Sequence, residues 1–162
     1  MKNKFLKATA LVMVIALCCC LFSACGDSAA KGEQKTWGNI SVLVPDGMKL
    51  SGGSAADKED KNVVTLQKTD DIMCYLQISI VDSLDTAKNN ASLTKSTNNA
   101  SDIKAFKVGD TEWNGVTYKF SENPCFMIYG EVQGKVFSIM SYKFAHDDET
   151  TTAVLESLKP VA

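Results

Sequence analysis

The amino-acid sequence predicts an α+β domain, a mainly antiparallel β-sheet flanked by helices. Three observations lead there. Short segments between Ile40 and Phe144 alternate apolar and polar residues, the two-residue period of a strand with one buried face. Two segments break that period and carry apolar residues at helical spacing, about Leu84–Leu93 and Asp148–Leu158. The strands fall in two runs, each followed by one of these helices, which is the order of an α+β fold and not of a strictly alternating α/β one.

Element by element, Ile40, Val42 and Val44 alternate and run into the turn residues Pro45, Asp46 and Gly47, after which Met48–Leu50 begins a second strand. Ser51–Asn62 is polar and reads as a loop. Val63–Gln67 and Ile72–Val81 are strands joined at Thr69, Asp70 and Asp71, and in the second Ile72, Cys74, Leu76, Ile78 and Ile80 share one face while Tyr75 and Gln77 share the other. Beyond the first helix, strands resume at Ile103–Val108, Thr111–Trp113 and Val116–Phe120. The pair Asn114 and Gly115 tolerates positive φ and predicts a tight hairpin turn between the last two. Phe126–Val132 and Val136–Phe144 form a further hairpin about Gln133, Gly134 and Lys135. The final helix opens beside Asp147, Asp148 and Glu149, acids suited to the positive helix end, and Pro160 stops it.

Ahead of this domain, Lys2, Lys4 and Lys7 precede an apolar run from Ala8 through Phe22. At about 15 residues that run is shorter than the roughly 20 a membrane-spanning helix needs, and the order of charge then apolar core is that of an export signal. Leu21, Phe22, Ser23 and Ala24 lead into Cys25, and small residues before a cysteine resemble the lipobox of bacterial lipoproteins. The usual residue three places before the cysteine is leucine, and Phe22 departs from it while remaining apolar. The resemblance implies removal of residues 1–24, a palmitate-type lipid on Cys25 and residence on the outer face of a cell membrane. Gly26–Lys35 is small and polar with nothing to bury, so residues 25–36 are expected to be a flexible tether and 37–162 a single domain.

The opening strand from Asn39 to Met48, the Trp113-Asn114-Gly115-Val116 segment and the terminal Val154–Lys159 together resemble the PsbP-like fold. That resemblance spans most of Asn39–Lys159 and implies a sheet sandwiched between helices. Its members act by binding partners, and a shared fold transfers no specific activity.

Composition narrows the function classes. All 19 acidic residues lie beyond residue 24, whereas three of the 17 basic ones lie within it, so the exported part is acidic and nucleic acid is not an expected partner. Every basic residue is lysine. Without arginine there is no planar fork for bidentate recognition of phosphate or guanine.

No catalytic constellation is visible, and neither cofactor nor metal is expected. His146, the only histidine, stands beside Asp147, Asp148 and Glu149, where the carboxylates are better explained by the helix terminus than by a metal or a base. Asp110, Glu112, Asn114 and Gly115 match half of a calcium loop, but Ser121 occupies the place of its bidentate glutamate. Cys74 and Cys125 remain after lipidation of Cys25; the apolar neighbours of Cys74 and the strand phase of Cys125, set by Phe126 and Ile128, favour opposite sides of the sheet and two free cysteines over a disulfide. Trp37, Trp113, Tyr118, Tyr129 and Tyr142 are candidates for a contact surface, and Trp113, at the tip of the expected hairpin, is the residue singled out for partner binding. The expected function is a membrane-anchored, non-catalytic domain that binds an envelope protein or a small ligand; the alternative is an envelope enzyme or enzyme subunit.

Overall fold

The computed structural model describes residues 30–54 and 56–161. The expected signal segment, Cys25 and the first part of the expected tether lie outside the described residues. Among the described residues, ten strands form two sheets. Strands β1 (Gly32–Trp37), β2 (Ile40–Pro45) and β10 (Lys159–Pro160) make a small sheet of order β1-β2-β10. A seven-stranded antiparallel sheet of order β3-β4-β5-β9-β8-β7-β6 is built from β3 (Met48–Gly52), β4 (Val63–Lys68), β5 (Tyr75–Val81), β6 (Ser101–Val108), β7 (Thr111–Phe120), β8 (Asn123–Val132) and β9 (Lys135–Tyr142). Helix α1 (Leu84–Asn98) follows β5, and α2 (Glu149–Ser157) follows β9. This is the expected α+β sandwich.

The alternation read in the sequence makes the layers. Val64 and Leu66, Leu76 and Ile78, Phe126 and Ile128, and Phe137 and Ile139 are fully buried, each pair two residues apart and so on one face of its strand. That inner face packs against Ile40 and Val42 of β2, against Val154 and Leu155 of α2 and against Leu158, which caps its end. Each such side chain contributes about 1.5–3 kcal/mol by leaving water. Helix α1 lies on the opposite, outer face, touching β7, β8, β9 and β5. It buries only the small side chains Ala87 and Ala91.

The helix ends follow capping chemistry. Ser83 accepts the Thr86 N–H at 3.1 Å, and Asn99 closes α1 with φ 50°, so the helix runs past the expected Leu93 until an asparagine can adopt the left-handed conformation. Asp148 caps α2: its two carboxylate oxygens accept the Thr151 N–H at 2.6 Å and the Ala145 N–H at 3.1 Å.

Three expectations are corrected. The tether expected through residue 36 gives way at Gly32 to β1, which pairs with β2 in unbroken register from Gly32 opposite Pro45 to Trp37 opposite Ile40. Every residue of β1 is exposed. It is held by its backbone ladder and by the Gln34 amide, which donates to Ser41 and to the Ser157 carbonyl, and a strand held that way leaves no apolar signature.

Asn114 and Gly115 do not turn. They lie inside β7, where a Cβ on Gly115 would stand 2.1 Å from the Met127 carbonyl oxygen, so glycine is required for the close approach of β8. The chain reverses instead at Ser121 and Glu122, with φ of 48° and 64°, in a two-residue connection between Phe120 and Asn123. The Asn123 amide donates to the Ser121 carbonyl at 3.0 Å and helps hold this turn.

The strand expected from Ile72 begins at Tyr75. Asp71 accepts the Met73 N–H through its side chain and the Cys74 N–H through its carbonyl, which bends the chain and leaves Ile72 and Met73 in solvent while Cys74 turns inward.

Candidate binding face

Helix α1 covers part of the outer face of the large sheet. Its Thr94 hydroxyl donates to the Met127 sulfur at 3.2 Å. Beside the helix the face stays open, and the register of five strands sets one row of side chains across it: Tyr118 on β7 opposite Cys125 on β8, Cys125 opposite Tyr142 on β9, Tyr142 opposite Tyr75 on β5, and Tyr75 opposite Gln67 on β4. The Tyr75 and Tyr142 rings are stacked with centroids 6.2 Å apart, and Phe120 meets Tyr142 edge-on at 5.9 Å, both favourable geometries for aromatic pairs. Next to this row lies an open groove of about 350 Å³ whose lining includes Ser54, Gln67, Ile72, Tyr75, Gln77 and Met140.

The row itself carries no charged side chain, although Lys58 lines the groove beside it. Burial pushes the Tyr75 and Tyr118 hydroxyls above their ordinary titration range, aided by the neighbouring Cys125, so both stay phenols that give and take hydrogen bonds. Burial likewise raises the Cys125 and Cys74 thiols. A thiol held protonated is a poor nucleophile. Both cysteines are free and buried; Cys74 belongs to the inner core whereas Cys125 sits in the outer-face row, so the sheet itself separates them. At the edge of the row, Lys143 donates to Asp71 at 2.7 Å. That bond, seconded by the Met73 N–H, lowers the Asp71 carboxyl, and the same partner raises the Lys143 amine. Phenols, amides, a thioether and a neutral thiol suit contact with a partner more than bond-making chemistry.

The structure distributes the sequence candidates unequally. Tyr118 and Tyr142 join the row with Tyr75, and Phe120 meets Tyr142 beside it; the sequence singled out neither Tyr75 nor Phe120. Tyr129 lines smaller grooves beside α1. Trp37 lies over Gly52, where a side chain would collide with its ring, and donates to the Asp60 carbonyl at 3.3 Å. Trp113 is corrected outright: it is 0% exposed on the inner face of β7, with Gly130 leaving room for its ring, because the segment that was to form a hairpin tip is a strand interior. A residue sealed in the core offers nothing to a partner.

His146 neither caps α2 nor belongs to a metal cluster. Its ring meets Phe106 edge-on at 5.4 Å, and among the described residues no three metal-ligating side chains gather. Asp110, Glu112, Asn114 and Gly115 do not wrap a cation, since Glu112 through Gly115 lie in extended β7. His146→Ala is therefore expected to cost no more than about 1 kcal/mol in urea unfolding, the loss of one partly exposed aromatic contact. A bound transition metal that disappears in this variant would contradict that assignment.

Among the described residues no helix is long and apolar enough to cross a membrane. The sequence matches no family model and no curated protein sequence. Among solved structures, the solution structure of cyanobacterial PsbP (CyanoP) from Synechocystis sp. PCC 6803 is similar, with a TM-score of 0.52 over 85% of this chain and 98% of that chain at 15% identity. The chain thus has a PsbP-like α+β sandwich fold, and at that identity the likeness speaks for the fold alone.

Proposed function

We propose that this chain is an exported lipoprotein, cut before Cys25 and anchored through it, whose single domain acts without catalysis by binding another protein of the cell envelope. The observation that carries the binding role is the open half of the outer sheet face, where Tyr118, Tyr142 and Tyr75 form a row across successive strands beside a shallow groove. Small-molecule sites enclose most of their ligand. A flat aromatic face on rigid strands instead matches a protein contact, in which tyrosines bring large contact area at low entropic cost.

The test is a photo-crosslinking residue placed in the full chain at Met140, in the groove, and separately at Lys104, on the edge strand β6. In intact envelopes, illumination is expected to give a discrete adduct from position 140 and none from position 104. Tyr75→Ala with Tyr142→Ala should diminish that adduct. No adduct from position 140, or equal adducts from both, would remove the face from consideration.

A further inference from the structure

Three large apolar side chains stand exposed at one end of the domain, Ile72 at 64%, Met73 at 53% and Phe120 at 56%. Ile72 and Met73 lie between β4 and β5, and Phe120 ends β7. Antiparallel register gathers these points into one rim, because Tyr75 at the start of β5 pairs with Tyr142 at the end of β9, and Phe120 pairs with Asn123 at the start of β8. Tyr142 bridges the rim through its ring contacts with Tyr75 and Phe120.

The chain enters the domain at this same rim. The Lys31 carbonyl accepts the Asp46 N–H at 2.8 Å, and Gly32 pairs with Pro45. The Gly47 carbonyl accepts the Thr69 N–H at 2.9 Å and its hydroxyl at 3.0 Å, tying the point of entry to the loop that carries Ile72. From Cys25 to Lys31 an extended chain reaches at most about 22 Å. Strand β8 by itself runs about 33 Å from this rim to the opposite one. A lipid on Cys25 therefore keeps the apolar rim near the bilayer, on a tether too short for the domain to stand on its far rim.

We propose that this rim rests in the headgroup layer of the membrane that holds the anchor, with Ile72, Met73 and Phe120 entering the boundary with the acyl chains. The inference rests on anchorage through Cys25. Charge does not drive the contact: Lys31, Lys68, Lys119 and Lys143 near the rim are matched by Asp46, Asp70, Asp71 and Glu122, and Asp147 and Glu149 near the start of α2 add negative charge. Apolar burial is the driving force, and anionic headgroups weaken the contact. Docked this way, the strands stand upright, and the outer face with its tyrosine row looks sideways along the membrane, free for a neighbour.

The experiment uses the mature lipidated protein, made from the full gene and reconstituted in phosphatidylcholine vesicles. An environment-sensitive fluorophore is attached to Phe120→Cys, to Ile72→Cys or, on the far rim, to Lys135→Cys; the native Cys74 and Cys125 are buried and escape labelling. Emission at positions 120 and 72 is expected to shift to shorter wavelength and to be lost on adding nitroxide-bearing lipid, while emission at 135 does not change. Replacing half of the lipid by phosphatidylglycerol should reduce the shift. Failure of the protein to float with vesicles overturns the anchorage and the docking with it. Flotation with all three labels unquenched, or all three equally quenched, overturns the docking alone. A shift at 120 and 72 that appears only in native envelopes would give the rim to a protein and also overturn it.

Discussion

Trp113→Ala is expected to lose about 3–5 kcal/mol of stability, the range for truncating a fully buried large aromatic side chain. The indole is 0% exposed and belongs to the main core cluster with Phe126, Ile128 and Phe137. Gly130 leaves room for its ring, and a Cβ there would lie 2.9 Å from it, so strands β7 and β8 are shaped around this side chain and cannot easily collapse into the space it leaves. With a urea m-value of ~1–3 kcal/mol/M, the unfolding midpoint should fall by more than about 1 M. Among the described residues the indole N–H finds no acceptor, so a smaller aromatic supplies a control. Trp113→Phe keeps most of the apolar volume, and its loss should stay below about 2 kcal/mol. An alanine variant that unfolds at the native midpoint would contradict the packing described.

The largest functional effect is expected from Cys25→Ser. Lipidation joins the cysteine sulfur to a diacylglyceryl group, and each buried methylene adds about 0.8 kcal/mol, so two acyl chains hold a protein on a bilayer where one does so only marginally. A serine hydroxyl lacks the nucleophilicity to form the thioether. In a bacterium supplied with radiolabelled palmitate, the native chain should carry label and sediment with membranes, while the variant should carry none. Label retained at full strength in Cys25→Ser would remove the anchor, and with it the proposal that the apolar rim docks on lipid.

The order of residues along the chain carries a local grammar. The alternation in β4, β5, β8 and β9, the acids that open α2, and the reversal at Gln133 and Gly134 with φ of 49° and 78° were legible because period, cap and turn are properties of neighbours in the chain. The same rules missed β1, which buries no side chain, and read a turn at Asn114 and Gly115, where the glycine answers to the backbone of Met127 and Ile128 on the next strand. They offered Trp113 as a surface residue and passed over Tyr75 and Phe120. Tertiary structure alone decided those cases. Whether a side chain on an alternating strand meets core, helix or water depends on register with distant strands and on where α1 lies, and the row from Tyr118 to Tyr75 exists only because β7, β8, β9 and β5, distant in sequence, come into line.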